Sequence, residues 1–290
     1  MRRILVATDF SPRSERALLR ASLLAREASA ALVIVHAIDD DQPPPLLAAA
    51  QREAGAQLDA VARGMGDADG PSCETHVALG FPFQAIADAS ARFAADLVVM
   101  GPHRRQALQY MFVGTTVERT IRLSRKPVVM TNAVPAGPYQ RVLVATDFSD
   151  CSVGAALAAR QWGLVGRTGT AFVHAFDAPA QDMMLRSWTT MRQMKDYLAE
   201  EKTRASARLD ALLDSIGARP ARRFLLLNEI SAGQTILACA RDYRADLIVV
   251  GTHGRAGLGR ILLGSVAEEV LSASEADVLV VPHSEAAEEA

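Results

Sequence analysis

The chain alternates short, continuous apolar runs with stretches of helical spacing. Runs of Val, Ile and Leu at Arg3 to Thr8, Ala31 to Ala37, Glu74 to Leu79, Asp96 to Met100 and Pro127 to Thr131 read as strands buried on both faces. Between the first two, "SERALLRASLLAREA" sets Ala17, Leu18, Ala21, Leu24 and Ala28 on one side of a helix. The same order returns at Arg141 to Thr146, Ala171 to Phe176, Arg223 to Leu227, Asp246 to Val250 and Asp277 to Val281. Strands alternating with helices predict an α/β fold with parallel, doubly wound sheets and helices on both faces.

The second series is a copy of the first. "ILVATDFSPRSERALLRA" from Ile4 returns as "VLVATDFSDCSVGAALAA" from Val142, and "VIVHAID" from Val33 as "AFVHAFD" from Ala171, both 138 positions later. "AADLVVMG" from Ala94 returns as "RADLIVVG" from Arg244, 150 positions later, so copy two carries 12 extra residues between these blocks. Units this long are domains rather than solenoid repeats. The expected division is residues 1–135 and 139–284, with the seam in "NAVPAGPYQ", where two prolines and a glycine break both periodicities. The short apolar ends Val128 to Met130 and Val278 to Val280 are edge strands that invite pairing of the copies as an intramolecular pseudo-dimer. The insertion lies before the third strand of copy two. It predicts one long helix or two shorter ones, with Met183, Met184, Trp188, Met191 and Met194 as an apolar stripe that reads as packing surface.

Composition narrows the field. The chain has 290 residues, half of them hydrophobic and 22% charged, which supplies ample core. A net charge of −2 and a pI near 6.3 leave no footprint for nucleic acid. No apolar run reaches the ~20 residues of a membrane span. The apolar run at the N-terminus is too short for a signal peptide, so the expected location is cytoplasmic. Three cysteines, Cys73, Cys151 and Cys239, have neither disulfide-framework nor metal-ligand spacing and read as small buried residues.

Candidate chemistry gathers beyond the carboxyl ends of the strands, where an open α/β sheet reverses its order. In copy two three segments meet there. "ATDFS", Ala145 to Ser149, ends the first strand; Asp147 suits ribose hydroxyls or a hydrated Mg²⁺, but Asp and Ser after a strand equally cap a helix. Gly251 to Gly254 follow the fourth strand, where small residues admit a ligand to the backbone or simply turn the chain. Gly264 and Ser265 open the last helix, whose free N–H groups suit phosphate, the alternative being a plain Ser N-cap. The spacing Gly251-x2-Gly254-x9-Gly264-Ser265 is neither a Walker A nor a dinucleotide GxGxxG motif. His36 and His174 lie within strands and read as satisfied core residues. His103 and His253 lie at the cleft mouth without a placed triad partner.

These pieces together resemble the universal stress protein family over nearly the whole chain, in two tandem copies. The resemblance implies sheet order 3-2-1-4-5 in each copy and pairing through the last strands. It further implies that copy two binds ATP, with Mg²⁺ arriving on the phosphates. Asp147 would contact ribose or metal, Ala145 and Ala175 would border the adenine, and Gly251, His253 and Gly254 would line the nucleotide. Gly264, Ser265 and Val266 would hold the phosphates, and Thr146 and Val250 complete the set. Copy one departs from the motif: Gly101 and Gly114-Thr115 remain, but Arg104 stands at the second glycine position, with Arg105, Gln106, Tyr110, Met111 and Phe112 adding bulk. Copy one then reads as a scaffold, or as a site where Arg104 and Arg105 grip a differently placed anion. The function expected is an ATP-binding stress-response regulator with little or no turnover, acting on a protein partner and able to form a homodimer. The alternatives are a slow ATPase or nucleotidyl-transfer enzyme, and a nucleotide-free scaffold or lipid-like ligand binder.

Overall fold

The computed structural model describes residues 1–65, 70–102, 115–166, 169–179, 190–252 and 263–283. The first half runs β1 (Arg3–Ala7), α1 (Pro12–Ala28), β2 (Ala31–Ile38), α2 (Pro44–Met65), β3 (Cys73–Leu79), α3 (Pro82–Arg92), β4 (Leu97–Met100), α4 (Thr116–Ser124) and β5 (Val128–Met130). The second runs β6 (Val142–Ala145), α5 (Asp150–Gln161), β7 (Thr170–Phe176), α6 (Met191–Ser215), β8 (Arg222–Leu227), α7 (Ala232–Tyr243), β9 (Leu247–Gly251), α8 (Ser265–Ala273) and β10 (Asp277–Val281).

Within each half the strands lie in the expected order, 3-2-1-4-5, and pair in parallel. They do not form two sheets, however. β5 and β10 pair antiparallel, with Val278 opposite Met130, Leu279 opposite Val129 and Val280 opposite Val128, so one sheet of ten strands runs β3-β2-β1-β4-β5-β10-β9-β6-β7-β8. The cause is local. Each half ends on a short apolar edge strand, and unpaired N–H and C=O groups there find partners in the other copy.

Strand side chains alternate between two cores. Ile4 and Val6 enter the layer with α1 and α5, whereas Leu5 enters the layer with α3, α4, α7 and α8. Helix ends follow local chemistry. α1 starts at Ser11, whose hydroxyl caps the Ser14 N–H, with Pro12 at the first helical position, and stops at Ser29 in the left-handed conformation, φ 49°. The described part of the insertion is a single helix, α6, started by a Thr190–Gln193 capping box. Its buried residues begin only at Ala205, and Met191 is 74% exposed, so at Met191 the expected packing stripe faces solvent. Met183, Met184 and Trp188 lie outside the described residues.

Candidate functional site

The "TDFS" turn has the same construction in both halves. Thr146 donates its N–H to the Val173 carbonyl at 2.9 Å, and its hydroxyl meets Ser152 Oγ at 3.1 Å while accepting from the Phe148 N–H at 3.0 Å. Phe148 takes the left-handed conformation, φ 64°, and its ring packs 4.3 Å from that of His174, whose Nδ1 lies 2.7 Å from the Thr146 carbonyl. Thr8, Phe10, Ser14 and His36 repeat every one of these contacts. The two strand histidines are therefore structural. Neither aspartate is the helix cap. Ser149 caps α5, and Asp147 holds Ser149 through its N–H at 3.0 Å and its hydroxyl at 2.6 Å. Asp9 does the same for Ser11; burial raises the Asp9 pKa, but hydrogen bonds from Ser11 and Ser14 outweigh it and hold the carboxyl below its ordinary value.

Gly251 ends β9 against the start of α5. A Cβ there would sit 2.8 Å from Cys151 Sγ and 2.9 Å from the Cys151 carbonyl oxygen. Gly101 ends β4 in the same way, with a Cβ 2.9 Å from the Arg13 carbonyl oxygen. Packing by itself calls for glycine at this position in both halves. Gly251→Ala and Gly101→Ala should each destabilise the protein by about 1–3 kcal/mol through overpacking. Denaturant unfolding of both variants checks this, and a Gly251→Ala chain as stable as the parent would show that packing against Cys151 does not require glycine there.

Beyond Gly251 the chain passes Thr252, which is 1% exposed. Its N–H donates to the Val281 carbonyl at 3.1 Å, its carbonyl accepts the Gly264 N–H at 2.5 Å, and its hydroxyl lies 3.7 Å from Cys151 Sγ. Thr252 thus joins the ends of β9 and β10 to the starts of α5 and α8. Sequence reasoning passed over it. The available signal was its counterpart Pro102, which has no N–H to donate.

Ala145 is buried at the end of β6, Val250 is buried in β9 and Ala175 is half-buried near the end of β7. Val266, in the first turn of α8, packs on the same core as Ala145 and Val250. Together with Thr146, Asp147, Gly251, Gly264 and Ser265 they surround the carboxyl ends of β6 and β9, where the strand order reverses. His253 and Gly254, like His103, Arg104 and Arg105, lie outside the described residues.

The helix starts differ between the halves. In α4 the cap is Thr115, its hydroxyl accepting the Glu118 N–H at 3.2 Å while the Glu118 carboxylate accepts the Thr115 N–H at 2.9 Å. The capping box thus takes the N–H groups of Thr115 and Glu118 and sets a carboxylate at the start of α4. In α8 the cap is Gly264 rather than Ser265; Ser265 is the first helical residue and exposed, no side chain caps the helix, and the counterpart Glu268 is exposed. This first turn, with its positive end of the helix dipole, lies at the carboxyl-end side of the sheet.

Among the described residues no cluster of His, Cys, Asp and Glu suits a metal ion, and no helix is long and apolar enough to cross a membrane. The cysteines are free; burial pushes the Cys239 thiol up to about 12, with Asp242 adding to it. A groove of about 380 Å³, lined by Leu237, Arg241, Arg244 and Glu275 among others, lies at the opposite end of the strands from Gly264 and Ser265.

A doubly wound α/β unit written twice, joined into one sheet, with an order reversal in each half, defines a tandem open-sheet protein. The sequence model of the universal stress protein family matches residues 1–132 and again 138–282, and the chain belongs to that family. Universal stress protein MJ0531 of Methanocaldococcus jannaschii is 30% identical over 169 residues, 56% of this chain and 94% of that protein. A universal stress protein from Archaeoglobus fulgidus shares the fold at TM-score 0.69 and 19% identity, over 97% of this chain and 98% of that one. A putative universal stress protein from Pseudomonas aeruginosa shares it at TM-score 0.66 and 19% identity, over 97% and 93%.

Proposed function

We propose that the protein is a cytoplasmic ATP-binding regulator whose two units, residues 1–135 and 139–284, are paired as an intramolecular pseudo-dimer, with the nucleotide held by the second. The observation that carries the reading is the contrast between helix starts. A phosphate needs unoccupied N–H donors at a helix N-terminus. α8 has no side-chain cap over the N–H groups that follow Gly264, whereas in α4 the third of these, that of Glu118, is taken by Thr115 and the Glu118 carboxylate adds a negative charge at the helix start. Gly264, Ser265 and Val266 would hold the phosphates, Asp147 the ribose or a Mg²⁺ carried in on them, and Ala145 and Ala175 the base. ATP bound there supplies a charged ligand whose presence a partner protein reads. The proposed role rests on binding.

Calorimetric titration of the full chain with ATP and Mg²⁺ tests this. Binding is expected, and Ser265→Ala should weaken it about tenfold by removing one hydroxyl donor to a charged acceptor. Absence of heat or competition at any nucleotide concentration up to millimolar would reject the reading.

A further inference from the structure

The two halves carry opposite charge on equivalent helices. From Thr116 to Lys126, α4 and its end hold Arg119, Arg122, Arg125 and Lys126, and their one acid, Glu118, is buried in the capping box. From Ser265 to Ala276, α8 and its end hold Glu268, Glu269 and Glu275 and no basic residue. Both helices pack on the same face of the sheet, Val117 and Ile121 in one half and Ala267, Val270 and Leu271 in the other. They precede β5 and β10, the two strands of the seam. Two of these charges are engaged within the half that carries them, Arg119 stacked 3.3 Å over the Phe83 ring and Glu269 accepting the Ser231 hydroxyl at 2.7 Å; Arg125, Glu268 and Glu275 are exposed, Arg122 and Lys126 half-buried, and none of these five takes part in an ion pair among the described residues. Between the arginines Leu123 stands 45% exposed, and its counterpart in α8 is Ala273, small and exposed.

We propose that this face is a dimer interface that takes a second copy of the same chain, α4 of each molecule lying on α8 of the other. Symmetry and charge select the arrangement. β5 and β10 are antiparallel, so α4 and α8 run in opposite directions on one face. A second molecule laid on that face can be turned about an axis along the strands or about an axis across them. The first turn sets α4 on α8 twice, basic on acidic. The second sets α4 on α4 and α8 on α8, like charge on like. Only the first is attractive, and it is closed and isologous, so it stops at two copies. The helices then meet antiparallel, the Arg119 end of α4 toward Glu275 and the Arg125–Lys126 end toward Glu268.

Sedimentation velocity of the full chain without nucleotide tests the assignment. The parent should form a dimer at about 50 mM salt and dissociate as salt rises toward about 500 mM, where charges are screened within a few ångströms. A basic-face reversal, Arg122→Glu with Arg125→Glu, should be monomeric, and so should an acidic-face reversal, Glu268→Lys with Glu275→Lys. Mixed in equal amounts, the two variants should recover a dimer, because one of its two contacts is reversed on both sides and the other is native. Circular dichroism verifies that each variant is folded; the salt response of the parent stands without them. A parent that is monomeric at low salt, a dimer indifferent to salt, or folded reversal variants that associate as the parent does would each overturn the proposal.

Discussion

Asp277→Ala should cost about 3–5 kcal/mol and lower the unfolding midpoint by of order 10 °C. Asp277 opens β10 with no exposed surface, and its carboxylate accepts from four donors: Arg20 Nε at 3.1 Å, the Tyr139 hydroxyl at 2.7 Å, and the N–H groups of Asn132 and Ala133 at 2.8 and 3.1 Å. Arg20 is buried as well, its guanidinium 3.8 Å above the Tyr139 ring and its Nη1 donating to the Gly137 carbonyl at 2.8 Å. Burial, and then the charge of Asp277, hold the Tyr139 hydroxyl well above its ordinary pKa, so it remains a donor. Removing the carboxylate strands the Arg20 charge in the core, which is the expensive half of breaking a buried pair. The double change Arg20→Met with Asp277→Leu should recover most of the loss, because no charge is then left behind. Calorimetric or denaturant unfolding checks both. An Asp277→Ala variant within about 1 kcal/mol of the parent would show that water replaces the carboxylate without penalty. This latch occurs once, because it ties α1, the seam and β10 together; the positions equivalent to Arg20 and Asp277 are Ala158 and Pro127.

Gly264→Val should reduce ATP affinity about a hundredfold while leaving the fold intact. Gly264 sits at φ −69°, ψ 154°, a conformation open to any residue, so nothing in the backbone requires glycine there. Valine is a poor N-cap, which costs about 1 kcal/mol of stability. The larger loss falls on the ligand. A branched side chain beside the free first turn of α8 keeps phosphate from the N–H groups, and one or two charge-assisted hydrogen bonds at about 1.5–3 kcal/mol each are lost. A folded Gly264→Val chain with unchanged ATP affinity in calorimetry would remove α8 from the site.

The fold was legible because its signals are local and repeated. Continuous Val, Ile and Leu runs bounded by helical spacing give buried parallel strands, and two copies of each block leave little room for another order. The join at Val128–Met130 and Val278–Val280 was legible too, since each half ends on an unpaired apolar edge. What stayed hidden depends on distant partners or on one-residue shifts. Gly251 suggested a ligand, and its spacing could not show that a Cβ there would also meet the Cys151 carbonyl, 100 positions away in sequence. The Asp277 latch joins residues 257 and 138 positions apart, beyond any spacing rule. The helix starts read alike as letters, Thr115-x2-Glu118 and Ser265-x2-Glu268, yet only the first closes as a capping box. The glycine-rich motif also marked the first half as altered through Arg104, while a second difference, Pro102 for Thr252, went unread.

Equilibrium titration of the full chain with ATP and Mg²⁺, read for stoichiometry, tests the asymmetry most directly. The prediction is one nucleotide per chain, lost in Gly264→Val and untouched by Arg104→Ala, because the Glu118 carboxylate already sits at the start of α4 and no side chain caps α8. Two nucleotides per chain, one abolished by Arg104→Ala and the other by Gly264→Val, would contradict it and make the first half a working, arginine-assisted site.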